Sequence, residues 1–338
     1  MGSERRHCTM KTMVIAVGGN SLIRAGQKGT PAEQRANARS TAEAIAGFVR
    51  AGYRVVVTHG NGPQVGAEFL RSERASDQVP AQTLDACVAA SQGEIGYLLA
   101  RSLRDSLAEA HLHTPVVSVI TQTIVAADDP AMSNPTKPVG PFYSRDEAEQ
   151  HQRLYRWRLV NDAGRGYRRV VASPEPLAIV ELEVIRALVT DGVIVVACGG
   201  GGIPVVRSNG NFCGLEAVVD KDRVSGLLAS QLGAEALLIS TDTDCVYLDY
   251  QRPGQRPLAE ATVSEMEMYL HLGQFPPGSM GPKVQSSIRF LRRGGKLVVI
   301  TSYDRLSEAL DGSVGTRIVP DQEADSESDV LQELSRAV

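Results

Sequence analysis

The chain of 338 residues reads as an α/β protein, an open and mostly parallel sheet sandwiched between helices. Three features carry that reading. Short apolar runs recur, and most of them end in glycine or a small polar residue. Helical stretches lie between them, the pattern of parallel βαβ units. The runs are apolar throughout rather than alternating, as strands covered on both faces are. In such sheets ligands bind beyond the carboxyl ends of the strands, so the loops that close the runs are where chemistry is expected.

Residues 13–17 form the first run and close in Gly18-Gly19-Asn20, a buried strand entering a tight loop. Residues 31–51 predict a helix, with Pro31 in its first turn and Gly52 as its stop. The next strand, 54–58, ends in His59-Gly60-Asn61-Gly62-Pro63. Further strands are predicted over 115–120, 193–197, 236–240 and 296–301, with helices over 84–110, 177–190, about 223–232 and 284–293. The strand at 193–197 runs into Cys198-Gly199-Gly200-Gly201-Gly202, and that at 236–240 into Thr241-Asp242. Residues 121–170 break this rhythm. They are rich in proline, arginine and polar residues and too long for a passive connection, so a lid or binding element is expected there. The predicted organisation is one domain over 11–320 carrying that inserted lid, with flexible tails at 1–10 and 321–338.

Composition narrows the function only broadly. With 43% hydrophobic and 22% charged residues the chain can bury a sizeable core. A net charge of −4 without any long basic run speaks against a nucleic-acid partner. The apolar runs, such as 193–198, fall far short of the roughly 20 residues that span a bilayer, so no membrane partner is expected. Residues 1–11 are polar and basic without an apolar signal core and read as a loose extension. Five cysteines form no C-x-x-C pair, a usage that suits the reducing cytoplasm. His111 and His113 are spaced as well for a frayed helix end as for a ligand pair, and no protein-held metal is expected. Serines occur without a G-x-S-x-G elbow, so no covalent intermediate is expected.

The glycine loops are the first candidate site. Gly18 and Gly19 let the backbone approach a ligand and can turn successive N–H groups toward an anion, although a lone glycine pair serves a bare turn equally well. The loop at 59–64 repeats the device ahead of a helix, whose N-terminus favours negative charge. Together the two loops point to phosphate or carboxylate. G-x-x-x-x-G-K-[ST] does not occur, which excludes a P-loop. The stretch from Gly60 to Gly66 has one residue too many for a dinucleotide fingerprint and follows the second strand. It also lacks an acidic ribose partner about 20 residues further on.

Lysine is scarce beside arginine in this chain, and three lysines are notable for where they stand. Lys221 lies between Asp220 and Asp222 at a loop–helix junction, and Lys283 ends the flexible 278–283 loop at the start of another helix. Lys137 sits in the proline-framed 134–141 segment of the insertion. Such mobile point charges suit a phosphoryl group in flight, although each lysine alone serves a solvated ion cluster equally well.

Taken in order, these residues resemble those of the carbamate kinases within the amino acid kinase family. The likeness runs over about 11–318. It rests on Ala16-Val-Gly-Gly-Asn20, Thr58-His-Gly-Asn-Gly-Pro-Gln-Val-Gly66, Ser91-Gln-Gly-Glu-Ile-Gly-Tyr97 and Asn134-Pro-Thr-Lys-Pro-Val-Gly-Pro-Phe-Tyr143. Cys198-Gly-Gly-Gly-Gly-Ile-Pro204, Asp220-Lys-Asp222 and Gly278-Ser-Met-Gly-Pro-Lys283 continue it. The resemblance implies an αβα sandwich with a small protruding lid subdomain, assembled as a homodimer. It also implies the reaction ADP + carbamoyl phosphate ⇌ ATP + carbamate. Mg²⁺ would be carried mainly on the nucleotide phosphates, and the reaction is often the ATP-yielding last step of arginine fermentation.

By the same likeness Gly18, Gly19, Asn20, Gly60, Asn61 and Gly62 would hold the carbamoyl phosphate end. Lys221 and Lys283 would bind the phosphoryl group in transit, Asp222 would hold the lysines in place, and Lys137 would come down from the lid. Gly200, Gly201, Asp242 and Met280 would belong to the nucleotide side. Relatives that phosphorylate acetylglutamate, glutamate or aspartate carry lysine two residues before the double glycine, where this chain has Ala16. The missing charge would come from Lys137, which favours carbamate over an amino acid. Two rival readings are another enzyme of the family acting on a different small acid, and a non-catalytic nucleotide-binding regulator. The presence of Lys137, Lys221, Asp222 and Lys283 together speaks against the second.

Overall fold

The computed structural model describes residues 11–24, 26–161, 166–276, 278–310 and 312–321. Of the predicted tails, 1–10 and 322–338 lie outside the described residues. Asp321, expected to open the second tail, is instead anchored. Its carboxylate accepts from the Ser264 N–H at 2.9 Å and pairs with Arg292 at 3.0 Å.

The first strand, Thr12–Val17, lies inside an eight-stranded sheet. The order across that sheet is Glu260–Thr262, Thr316–Val319, Leu297–Ser302, Ala236–Thr241, Thr12–Val17, Arg54–His59, Ile194–Val196 and Val116–Ser118. Every neighbouring pair runs parallel except Leu297–Ser302 with Thr316–Val319. The central strand is apolar on both sides because each side enters its own core. Val14 and Ala16 pack with Val224, Leu228, Val284 and Ile288. Met13, Ile15 and Val17 pack with Ala42, Ile45, Leu99 and Leu103.

Helices Lys221–Leu232 and Met280–Arg292 therefore cover one face, and Pro31–Arg50 and Leu84–Glu109 the other. This is the predicted sandwich. Each buried Leu, Ile or Val contributes about 1.5–3 kcal/mol, so the strand ends that carry the glycine loops are held by two packed layers. Pro31–Arg50 begins where the sequence places it. Thr30 and Glu33 form a capping box, and Pro31 occupies a first-turn position where its missing N–H costs nothing.

Two regions depart from expectation. The helix expected over 177–190 is shorter: Pro176–Ile179 is a strand antiparallel to Gln122–Val125, and the helix is Leu182–Thr190. Those two strands join Ile203–Ser208 and Asn211–Gly214 in a second, four-stranded sheet. The insertion is accordingly divided: its first strand belongs to this second sheet. The rest forms an antiparallel three-stranded sheet of Lys137–Tyr143, Tyr167–Val171 and Leu159–Asn161, with helix Arg145–Tyr155. Its Trp157 packs at a tilt against Phe69 of helix Gly62–Arg74, ring centroids 5.2 Å apart. Among the described residues no helix is long and apolar enough to cross a membrane.

Candidate active site

Parallel pairing of Ala16 with Thr58 and of Val17 with His59 brings the first two glycine loops side by side. A β-carbon on Gly60 would stand 2.6 Å from the Gly19 nitrogen, and one on Gly18 would stand 3.0 Å from the Ser240 carbonyl oxygen. Glycine is what lets three neighbouring strand ends meet this closely. The 91–97 segment braces them from behind. Gln92 donates to the carbonyls of Thr121 (3.1 Å) and Gly199 (3.0 Å) and accepts from the Thr121 N–H at 2.8 Å. Asn61 donates to Ser91 Oγ at 2.8 Å, and Gly200, at φ +65°, lies so close to the Asn61 amide that no β-carbon fits.

The lysines arrive on helix N-termini. Asp220 caps Lys221–Leu232, so Lys221 is its first residue, while Lys283 lies in the first turn of Met280–Arg292. Both ammoniums reach the Asp222 carboxylate: Lys221 Nζ is 2.8 Å from Oδ1, and Lys283 Nζ is 3.1 Å from Oδ2. Two largely buried cations share one buried anion, so the trio keeps an uncompensated positive charge. The positive ends of both helices add to it, and so does that of helix Gly62–Arg74, which begins in the second glycine loop.

The titration behaviour follows from this arrangement. Burial pushes the Asp222 carboxyl up, but the two ammoniums outweigh it and hold it well below the usual carboxylate range. Burial, helped by repulsion from Lys283, pulls Lys221 below its ordinary value against the attraction of Asp222. Lys283 is opposed by burial too. Asp222 faces it directly, Asp220 and Asp242 add to the attraction, and it ends above its ordinary value.

Two cavities open onto this lysine pair. One, of about 360 Å³, is walled by Asp242, Tyr247, Tyr250, Phe275 and Met280. The other, of about 280 Å³, is walled by Gly60, Asn61, Gly62, Lys137 and Gly200. Gly19, Lys221, Ser279 and Lys283 belong to both. Volume alone would point elsewhere, since the void beside Phe69 and Trp157 is about 590 Å³, but it has neither glycine loops nor lysines. The geometry suits two phosphate-bearing ligands that meet end to end at a shared cationic point.

The structure thus brings Lys137, Lys221, Asp222 and Lys283 together around one chamber. It redistributes three glycines. Gly18 lines the cavity of Asp242 and Met280, whereas Gly200 faces the opposite chamber and Gly201 packs against the Val219 carbonyl behind it. Asn20 lies in the Gly19–Ser21 turn, and its side chain is outside the described residues. The ammonium that reaches Ala16 belongs to Lys221, 3.4 Å from its carbonyl oxygen, and Lys137 instead pairs with Asp220 at 2.9 Å.

Sequence reasoning gave no role to Gln92, to Asp220 or to the aromatic wall of Tyr247, Tyr250 and Phe275. Asp220 carries a local signal, an aspartate directly before a helical run. The aromatics carry none until the chain is folded.

Residues 11–302 match the model of the amino acid kinase family. The chain is 47% identical over 314 residues to a carbamate kinase of Thermococcus kodakarensis, covering 92% of this chain and 99% of that protein. It is 45% identical over 312 residues to a carbamate kinase of Staphylococcus haemolyticus, covering 91% and 99%. A solved carbamate kinase from Giardia lamblia bound to AMP-PNP superposes with a TM-score of 0.88 at 42% identity, covering 93% of this chain and 99% of that one.

Proposed function

The chain belongs to the amino acid kinase family, among its carbamate kinases, and we propose that it catalyses ADP + carbamoyl phosphate ⇌ ATP + carbamate. The observation that carries this reading is the pair of cavities sharing Gly19, Lys221 and Lys283. The nucleotide occupies the cavity of Asp242 and Met280, in keeping with the AMP-PNP bound to the Giardia lamblia relative. Carbamoyl phosphate occupies the chamber under Lys137.

Transfer is direct. The bond from phosphorus to the carbamate oxygen breaks as one forms to the terminal oxygen of ADP, with the two oxygens in line and no enzyme-bound phosphate. Such a step needs alignment and charge neutralisation more than covalent chemistry. Backbone N–H groups of the glycine loops hold the carbamate end, and Lys221 and Lys283 neutralise the phosphoryl oxygens. Asp222 fixes the separation of the two ammoniums. Asp242, whose exposed carboxylate stands on the wall of the nucleotide cavity, would hold the hydration shell of Mg²⁺ where that ion is bound with the nucleotide, and the ion would supply further neutralisation of the phosphates. The family likeness also supports a cytoplasmic homodimer serving the ATP-forming end of arginine breakdown.

The substrate is tested by assaying the purified protein with ADP and carbamoyl phosphate, and separately with ATP and acetylglutamate. ATP should form in the first assay and no acyl phosphate in the second; the reverse pattern assigns the chain to another acid. Replacing Lys283 with alanine should lower ATP formation about 10²–10³-fold while leaving the circular dichroism spectrum unchanged.

A further inference from the structure

We propose that Asp220 is a positioning residue that seats Lys137 over the transfer point and ties it to the helix bearing Lys221 and Asp222. The proposal rests on the function given above. One oxygen of Asp220, Oδ1, caps that helix by accepting from the N–H groups of Asp222 (3.0 Å) and Arg223 (3.4 Å). The other, Oδ2, lies 2.9 Å from Lys137 Nζ. A single carboxylate therefore bridges the first residue of the insertion's Lys137–Tyr143 strand to the start of the helix that holds the phosphoryl-binding lysine. The backbone is joined at the same place. Ala172, just after the insertion's last strand, forms a parallel bridge with Ala217, and its carbonyl accepts from the Val218 N–H at 3.0 Å.

Charge explains why such a bridge is needed. Lys221, Lys283 and Asp222 already leave the chamber positive, so Lys137 would approach it against repulsion. Paired with Asp220, Lys137 comes to the chamber as part of a neutral couple. The Lys137 side chain is 38% exposed against 13% for Asp220, so the carboxylate stays fixed while the ammonium is free to share itself with an incoming phosphoryl oxygen. Both residues line the carbamoyl phosphate chamber and neither lines the nucleotide cavity.

Asp220→Asn separates the two jobs, because asparagine caps helices about as well as aspartate but cannot hold an ammonium by charge. The variant should melt at the parent temperature, lose about tenfold or more in kcat for ATP formation, and keep the parent KM for ADP. In a Lys137→Met background the same change should cost less than about twofold further, since its target is gone. Parent-like kcat in Asp220→Asn, or losses that multiply independently in the double variant, overturn the proposal. So does a collapse in melting temperature in both Asp220→Asn and Asp220→Ser, which keep a capping oxygen but lose the charge, since it would make the ion pair a tie that holds the fold rather than one that positions the ammonium. The parent enzyme is assayed alongside. If it forms no ATP, the assigned activity fails; if it does and the variant matches it, only the role of Asp220 fails.

Discussion

His59 stands directly behind the glycine loops, its ring buried and its Nδ1 3.0 Å from the Gly60 carbonyl oxygen. Burial pulls its pKa down to about 4 from an ordinary value of 6.5. Between those two pH values the unfolded chain binds a proton that the folded chain refuses. Stability should therefore fall as pH drops through that window, by about 3 kcal/mol in all. Asp222 acts in a lower range: its carboxyl is depressed, so its contribution is present above the ordinary aspartate value and is lost only below it. Urea unfolding of the parent and of His59→Gln at pH 7 and pH 4.5 tests the assignment. The parent should weaken and the variant should weaken much less; equal losses would place the titrating group elsewhere. Replacing Asp222 with asparagine should be more severe, because it leaves two buried ammoniums facing each other. A loss of about 3–5 kcal/mol at pH 7 is expected, and near-parent stability would mean that the lysines are solvated apart.

At the scale of elements, the central strands and the helices that cover them were legible, because a strand buried on both faces is apolar throughout and a long helix announces its caps. Pro31 marks one such start and Gly52, at φ +87°, its stop. The second sheet was not legible. Pro176–Ile179 is four residues long and becomes a strand only because Gln122–Val125 lies beside it. The seat of the insertion was equally hidden in the sequence. Glu73 of helix Gly62–Arg74 accepts from Tyr143 Oη at 2.9 Å and pairs with His151 Nε2 at 2.6 Å, so two residues of the insertion grip one carboxylate of the body. Burial, then the hydrogen bond to Glu73, push the Tyr143 phenol far above its ordinary value, so it remains a donor throughout the working pH range. Tyr143→Phe should cost about 1–3 kcal/mol at this seat. The single tryptophan, Trp157, reports on it. Its emission should shift to the red and KM for carbamoyl phosphate should rise, with little change in global melting. Unchanged emission and KM would show that the seat is held by the aromatic packing alone.

For the molecule as a whole, the sequence named the three lysines and the glycine loops but not how they divide between two cavities. Gly18 and Gly200 exchanged sides relative to expectation because loop membership is fixed by sheet order, which places Ala236–Thr241 and Arg54–His59 on opposite flanks of the first strand. The first cavity opens on the Ala236–Thr241 side and the second on the Arg54–His59 side, with Gly19, Lys221 and Lys283 between them. In the reaction proposed for this chain, both substrates are bound at once across that partition and the phosphoryl group passes straight across. Initial rates of ATP formation, measured over a grid of ADP and carbamoyl phosphate concentrations, test it most directly. Intersecting double-reciprocal lines are predicted, as both ligands must be present before transfer; parallel lines, the mark of a phosphorylated enzyme formed before ADP binds, would contradict it.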